Sequence, residues 1–287
     1  MKTLARNELK VALAEQRTLI GLWCNYANAA TVETLAEAGY DWLLLEMEHA
    51  PNDLPTLHAQ LMAVRGSPTF PIVRVPVNDV TMIKRVLDLG TANLMVPNIR
   101  TAAEARATVA STRFAPEGVR GVASSTRAGG YTRTTDFLAH ANDEIALILQ
   151  IESREALSEL DAICHTPGVD AVFIGPSDLA ADMGHRGQPR HPEVQAAIEQ
   201  AIRVARAANK AVGILFTDGD VEPYIALGVT LAGVGSDMHL LVRGADALAQ
   251  RFAPLRGLSK NGIPVFGIGR AGTAITAETV NRANDSD

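Results

Sequence analysis

Hydrophobic and polar positions alternate along this chain on two different periods. Short apolar runs of about five residues recur between amphipathic stretches of about 10–15 residues. The runs predict strands near 18–23, 41–45, 71–75, 93–97, 145–151, 169–174, 211–215 and 229–234. Between them ATVETLAEAG, DVTMIKRVLDLG, TAAEARATVASTR, SREALSELDAI and PEVQAAIEQAIRVARAANK read as helices, many ending at the glycine or asparagine that commonly stops one. The strands are nearly continuous in apolar character, as parallel strands covered on both faces are.

Eight strand–helix units predict a single-domain α/β fold, a (β/α)₈ TIM barrel over 18–252, preceded by a helical segment at 1–17 and followed by a tail at 253–287. The alternative, a doubly wound open sheet, usually has fewer strands and a glycine-rich first turn, and here that turn is CNYANAA. Residues 114–144 form a long connection between the fourth helix and the fifth strand, of the kind that serves function or a subunit contact. Gly267, Gly269 and Gly272 form a GxGxxG in the tail, but too little chain follows for a dinucleotide-binding unit, so the match is read as chance.

Composition narrows the function. The 287 residues are 47% hydrophobic and 20% charged, enough for a substantial core. The net charge of −6 leaves no basic footprint for nucleic acid or an anionic membrane. An anionic substrate must therefore be held by local groups. Cys24 and Cys164 fit neither a zinc nor a redox spacing. The N-terminal residues lack the apolar core of a signal peptide, and no apolar run is long enough to span a bilayer, so a soluble cytoplasmic protein is expected.

Reactive groups of such barrels sit at the C-terminal strand ends. Strand 2 exits into Glu46, Glu48 and His49, strand 3 carries Arg74, and strand 5 ends in Gln150 and Glu152, two apart and so on one side. Strand 6 exits through Gly175, Pro176, Ser177 and Asp178, and strand 8 through Ser236 and Asp237. Glu152 and Asp178, at the ends of adjacent strands, would repel unless a divalent cation lies between them or one holds a proton. Alternatively, each caps the helix that follows it. Arg74 is the candidate anion or oxyanion group, or else a salt bridge closing the mouth. His49 is the candidate base, oriented by Glu46, or else a surface histidine. Glu48 reads either as a supporting partner or as a solvated carboxylate. The five lysines, Lys2, Lys10, Lys84, Lys210 and Lys260, are none of them placed to attack a carbonyl at a strand end, which favours a metal over a Schiff base.

The segments DWLLLEMEHAPND, VRVPVND, IKRVLDLGTANLMVPN, FAPEGVRGVAS, LQIESREAL, VDAVFIGPSDLAADMG and HPEVQAAIEQAI together resemble the HpcH/HpaI class II pyruvate aldolases, over about residues 19–252. The resemblance implies reversible cleavage of 4-hydroxy-2-oxo acids, such as 4-hydroxy-2-oxoheptanedioate, to pyruvate and an aldehyde through an enolate. It implies a divalent cation (Mg, Mn or Co) on Glu152 and Asp178, with Gln150 beside it. His49 matches the catalytic histidine, Arg74 the arginine at the enolate oxygen, and Asp88 a family aspartate, although by position it lies at a helix end. The Gly175–Pro176–Ser177–Asp178 turn matches the one that receives the pyruvate carboxylate on backbone N–H groups. A homohexamer is also implied, with residues 114–131 and the tail as candidate contacts. One departure stands out: the family commonly has aspartate and glycine where this chain has Glu46 and Met47. Other enolate-forming barrel enzymes, oxaloacetate decarboxylases or acyl-CoA lyases, are the alternative activities, and a non-catalytic binding barrel the alternative class.

Overall fold

The computed structural model describes residues 2–216 and 220–253. The strands are β1 (Leu19–Cys24), β2 (Trp42–Glu46), β3 (Phe70–Arg74), β4 (Asn93–Val96), β5 (Ala146–Ile151), β6 (Ala171–Ile174), β7 (Ala211–Leu215) and β8 (Leu231–Ser236). The helices are α1 (Glu8–Ala14), α2 (Ala29–Ala36), α3 (Leu54–Ala63), α4 (Val80–Asp88), α5 (Ala102–Thr112), α6 (Phe137–His140), α7 (Arg154–Cys164), α8 (Pro176–Asp182), α9 (Pro192–Ala207), α10 (Glu222–Leu227) and α11 (Asp237–Phe252). All eight strands are parallel, and β1 pairs with β8 to close a barrel in sequence order. The chain forms two compact units, Met1–Met238 and His239–Asp287. The first holds the whole barrel; the described part of the second is helical to Phe252. The tail beyond 253, with its GxGxxG, lies outside the described residues.

The nearly unbroken apolar strands resolve into two rails. Alternate residues such as Leu43, Leu45, Val73, Leu94, Leu147, Leu149, Val172 and Ile174 pack outward into one large core with the helices. The residues between them, including Trp23, Trp42, Leu44, Ile72, Met95, Ile148 and Phe173, fill the barrel interior. Three aromatic rings dominate that interior, Trp23 meeting Trp42 edge-on at 5.6 Å and Phe173 at 5.3 Å. Glycine makes room for them: a Cβ on Gly21 would lie 2.0 Å from the Trp42 ring, and one on Gly213 2.3 Å from Phe173. Continued to the C-terminal strand ends, the inward rail delivers Glu46, Arg74 and Gln150 to the mouth.

The opposite end is plugged. Leu9, Ala12 and Leu13 of α1 are buried among the interior side chains. Lys10 Nζ pairs with Asp170 at 2.9 Å and donates to the Ile145 carbonyl at 2.6 Å. Asn7 donates to the Asn93 side chain and the Glu144 carbonyl, both at 2.8 Å. The long connection of 114–144 is mostly turns around α6, with Phe114, Phe137 and Ala141 in a small cluster of their own.

Candidate active site

The mouth is built around Arg74. Its Nε donates to Glu46 Oε2 at 2.6 Å and Nη2 reaches the same oxygen at 2.5 Å. Nη1 meets Glu48 Oε2 at 3.1 Å and Gln150 Oε1 at 3.3 Å. Glu46 and Arg74 are register partners on β2 and β3, so the sheet itself sets the ion pair. Both are buried, and the guanidinium lies 5.9 Å over the Trp23 ring. Arg74 is thus the salt bridge at the mouth and, through that bridge, a guanidinium fixed in place. A buried charge keeps its ionised form only with such partners.

Glu46 takes a different place from the one its sequence position suggests. Its Oε2 also accepts from Trp23 Nε1 at 3.0 Å. Its Oε1 accepts from the backbone N–H of Glu48 at 2.6 Å and of His49 at 3.1 Å. It therefore shapes the loop that carries His49 and leaves the imidazole alone. The carboxylate facing the imidazole is Glu48, with Oε2 3.9 Å from His49 Nε2, and the His49 side chain is 68% exposed at the rim. Met47, in the other unusual position, is buried in the outer core.

On the other side of the mouth, Gln150 Nε2 donates to Glu152 Oε2 at 2.5 Å, and the Asn98 backbone N–H donates to Glu152 Oε1 at 2.8 Å. Asn98 itself has a positive φ of 56°. Ser153, rather than Glu152, caps α7, accepting from the Ala156 N–H. Helix α8 starts at Gly175 with no side-chain cap, so Asp178 stands in its first turn without that duty. Gly175 is needed here for space: a Cβ would lie 2.7 Å from Glu152 Oε2 and 3.1 Å from Gln150 Nε2. Ser177 and Asp178 are exposed beside it.

The electrostatics of the mouth are unbalanced. Burial, then the charges of Asp178 and Glu48, push the Glu152 carboxyl up to about 7. Burial also raises Glu48, against the pull of Arg74 and His49. Glu48, Glu152 and Asp178 thus gather beside an arginine already paired with Glu46, a donor set that suits a divalent cation with oxygen ligands.

Two acidic residues fall elsewhere. Asp237 is buried at the end of β8, where its carboxylate accepts from the N–H groups of Asn25 and Tyr26 at 2.9 and 3.1 Å and so ties down the first strand–helix loop. Asp88 ends α4, at the plugged end of the barrel, and pairs with buried Arg120 at 2.8 Å. Within this chain it is not brought to the mouth, because the C-terminus of a helix between parallel strands returns to the strand starts. Sequence reading missed Trp23, which looks like core, and Asn98, which acts through its backbone. Glu48, which the sequence left as either a supporting partner or a solvated carboxylate, meets Arg74 and faces His49.

Among the described residues, His185, His191 and Glu193 place three metal-type ligand atoms within 4.8 Å of one another. The two rings stack at 3.6 Å, however, and His191 Nδ1 already accepts the Glu193 N–H as the cap of α9. His185 Nε2 also meets Glu193 Oε2 directly at 3.0 Å.

Relatives carry the same framework. A 4-hydroxy-2-oxo-heptane-1,7-dioate aldolase of Salmonella dublin is 49% identical over 256 residues, covering 88% of this chain and 97% of its own. An HpcH/HpaI aldolase/citrate lyase family protein of Burkholderia cenocepacia superposes with a TM-score of 0.83 at 40% identity, covering 85% of this chain and 98% of its own. The HpcH/HpaI aldolase of Desulfitobacterium hafniense gives 0.78 at 28% identity, covering 85% and 96%. The family description HpcH/HpaI aldolase/citrate lyase matches residues 19–244, and the chain belongs to that family.

Proposed function

We propose that the protein is a divalent-metal-dependent aldolase that reversibly cleaves 4-hydroxy-2-oxo acids, of the 4-hydroxy-2-oxoheptanedioate type, into pyruvate and an aldehyde. The observation that carries this reading is the mouth itself, where Glu48, Asp178 and a partly protonation-prone Glu152 gather beside an arginine already held by Glu46. Glu152 and Asp178 would hold Mg, Mn or Co, which supplies Lewis-acid charge for the oxygens of a 2-oxo acid and for the negative charge that develops when its C–C bond breaks.

The protein's own groups do the rest. Gln150 orients Glu152 and lies against Arg74, so ligand and cation are held in one frame. Arg74 directs fixed positive charge at the keto oxygen as it becomes an enolate oxygen, and it needs no reorganisation because Glu46 already holds it. At the start of α8, the N–H groups of Ser177 and Asp178 are free of a side-chain cap and receive the carboxylate, while Pro176 has no N–H to offer. His49, at the exposed rim, takes the C4-hydroxyl proton through a water in the cleavage direction and returns it in synthesis. Glu48 Oε2, 3.9 Å from Nε2, is the carboxylate beside this imidazole. Glu46 sets where His49 starts, through the backbone. The reading includes a homo-oligomer in the cytoplasm, hexameric by the family resemblance; in keeping with this, no described helix is long and apolar enough to cross a membrane.

The test is a lactate-dehydrogenase-coupled pyruvate assay on several 4-hydroxy-2-oxo acids, with and without Mg²⁺, Mn²⁺ or Co²⁺. Metal-dependent pyruvate release is expected. Full activity after exhaustive chelation, or in the Glu152→Ala/Asp178→Ala double variant, would sink the reading.

A further inference from the structure

Outside the barrel wall, where the N-terminal residues and the long connection meet the ends of α3 and α4, lies a cavity of about 680 Å³. Its wall comes from segments distant in sequence. Residues 2–5 lead towards α1, Met62 and Arg65 lie at the end of α3, and Arg127, Tyr131 and Arg133 belong to the long connection. A parallel bridge between Lys2 and Thr134 ties the first of these segments to the last. The Lys2 N–H donates to the Arg133 carbonyl at 3.3 Å, and the Thr135 N–H to the Lys2 carbonyl at 3.2 Å. Backbone pairing therefore fixes where these side chains start.

The charge of this wall is one-sided. Lys2, Arg65, Arg127 and Arg133 all line it, and no carboxylate is among the lining residues. Among the described residues, none of the four takes part in an ion pair. The chain has 32 acidic residues against 26 lysines and arginines, so acids to neutralise them were not in short supply. Asp136, the acid that follows in the long connection, accepts the Leu4 N–H at 2.7 Å instead. Arg127 is the anchored member of the set. Its Nη1 donates to the Leu89 carbonyl at 2.6 Å and its Nη2 to the Leu61 carbonyl at 3.1 Å, so the guanidinium closes the ends of α4 and α3. These carbonyls hold the side chain but bring no net charge to balance it. Burial disfavours the Arg127 charge, Tyr131 offsets part of that, and the neighbouring Arg65 charge adds to it. A bound anion relieves such a gathering of like charges.

We infer that this cavity binds a small polyanion, a molecule carrying two or more phosphate or carboxylate groups, at a site separate from the mouth. The exposed forks of Arg65 and Arg133 and the Lys2 ammonium meet its charges, with Arg127 fixed behind them. Leu4, Ala5 and Met62 supply apolar surface for its carbon part. The volume lies within the range of small-molecule sites, on the order of 300–1,000 Å³.

The experiment is isothermal titration of the full-length, metal-free protein with pyrophosphate, ATP and citrate at constant ionic strength. Leaving out the metal keeps the probes from binding through a cation at the mouth. Saturable binding of one probe per chain is expected, and the tighter class, phosphate or carboxylate, names the source of the charge. Arg65→Gln/Arg133→Gln should weaken that binding about tenfold or more, the worth of one charge-assisted hydrogen bond at an exposed site. Both side chains are exposed, so the fold is kept. Arg127→Gln would also free the ends of two helices, which is why the pair carries the test. Arg106→Gln/Arg203→Gln removes as much charge from exposed positions outside the lining, and should leave the affinity as it is. The inference is overturned if no probe binds saturably, if Arg65→Gln/Arg133→Gln binds as wild type does, or if the Arg106→Gln/Arg203→Gln control loses as much affinity. The titration uses whatever assembly the chain forms, so a neighbouring copy that closed the cavity would show as no binding and overturn it as well.

Discussion

The two ends of this barrel treat charge in opposite ways. At the plugged end, Lys10 has Asp170 and the Ile145 carbonyl, Asn7 has Glu144 and Asn93, and buried Arg120 has Asp88. These three side chains each have a partner, although buried Arg120 Nε finds no acceptor, and α1 seals the interior with Leu9, Ala12 and Leu13. At the mouth, Glu48, Glu152 and Asp178 crowd together beside an arginine already held by Glu46, and burial, then the charges of Asp178 and Glu48, push Glu152 up to about 7. One end is arranged for stability. The other stores an electrostatic deficit that a ligand can fill, which is how functional sites commonly differ from the scaffold holding them.

The sharpest way to break this contrast is to remove the deficit. Glu152→Gln keeps the shape but not the charge, and activity should fall to background in the pyruvate assay. In metal-free protein the same substitution should raise Tm, because it relieves repulsion. A fall in Tm would mean that Glu152 is a structural group like those at the plugged end. Arg74→Lys comes next. It loses the fork that grips Glu46, and kcat should fall about 10²–10³-fold, the usual cost of one lost oxyanion donor. Activity within threefold of wild type would remove Arg74 from the chemistry.

Leu13→Ala tests the other end. The residue is fully buried, so unfolding in urea should show a loss of about 2–5 kcal/mol. Turnover per folded molecule should stay at the wild-type value; a parallel drop in kcat would show that the ends are coupled. The smallest effect is on pH dependence. Without a cation, folded protein holds the Glu152 proton to about pH 7, whereas the unfolded chain releases it near the ordinary 4.5. Between those values the folded state binds more protons, so stability declines as pH rises through this window. Tm of chelated protein should therefore drift down from pH 4.5 to 7, and Glu152→Gln should flatten the drift. Cation affinity should rise over the same range and then level off, since the ligand must first lose its proton.

Much of this was legible from pattern. The strand ends found in the structure lie within two residues of those read from the apolar runs, because parallel strands buried on both faces leave a strong local signature. The period of two explains why Gln150 and Glu152 point to one side, and it places Glu46 and Arg74 on the inner rail. What the pattern did not carry was partnership. Glu46 precedes His49 by three residues and looked like its carboxylate, but the neighbouring strand offered Arg74 directly across the sheet, and a buried carboxylate takes the charged partner first. Asp88 matched a family motif, yet its helix end returns it to the plugged face, beside Arg120 from the long connection.

The sequence by itself determined the barrel, its order and the set of reactive residues at the strand ends, since periodicity, caps and glycine positions are local properties of the chain. Only the tertiary structure decided which carboxylate faces which cation. It gave Glu46 to Arg74, Glu48 to His49, Asp237 to the first loop and Lys2, Arg65, Arg127 and Arg133 to one cavity. The physical reason is that side-chain pairing is settled across strands and loops distant in sequence, by burial and by distances of a few ångströms that no local pattern encodes.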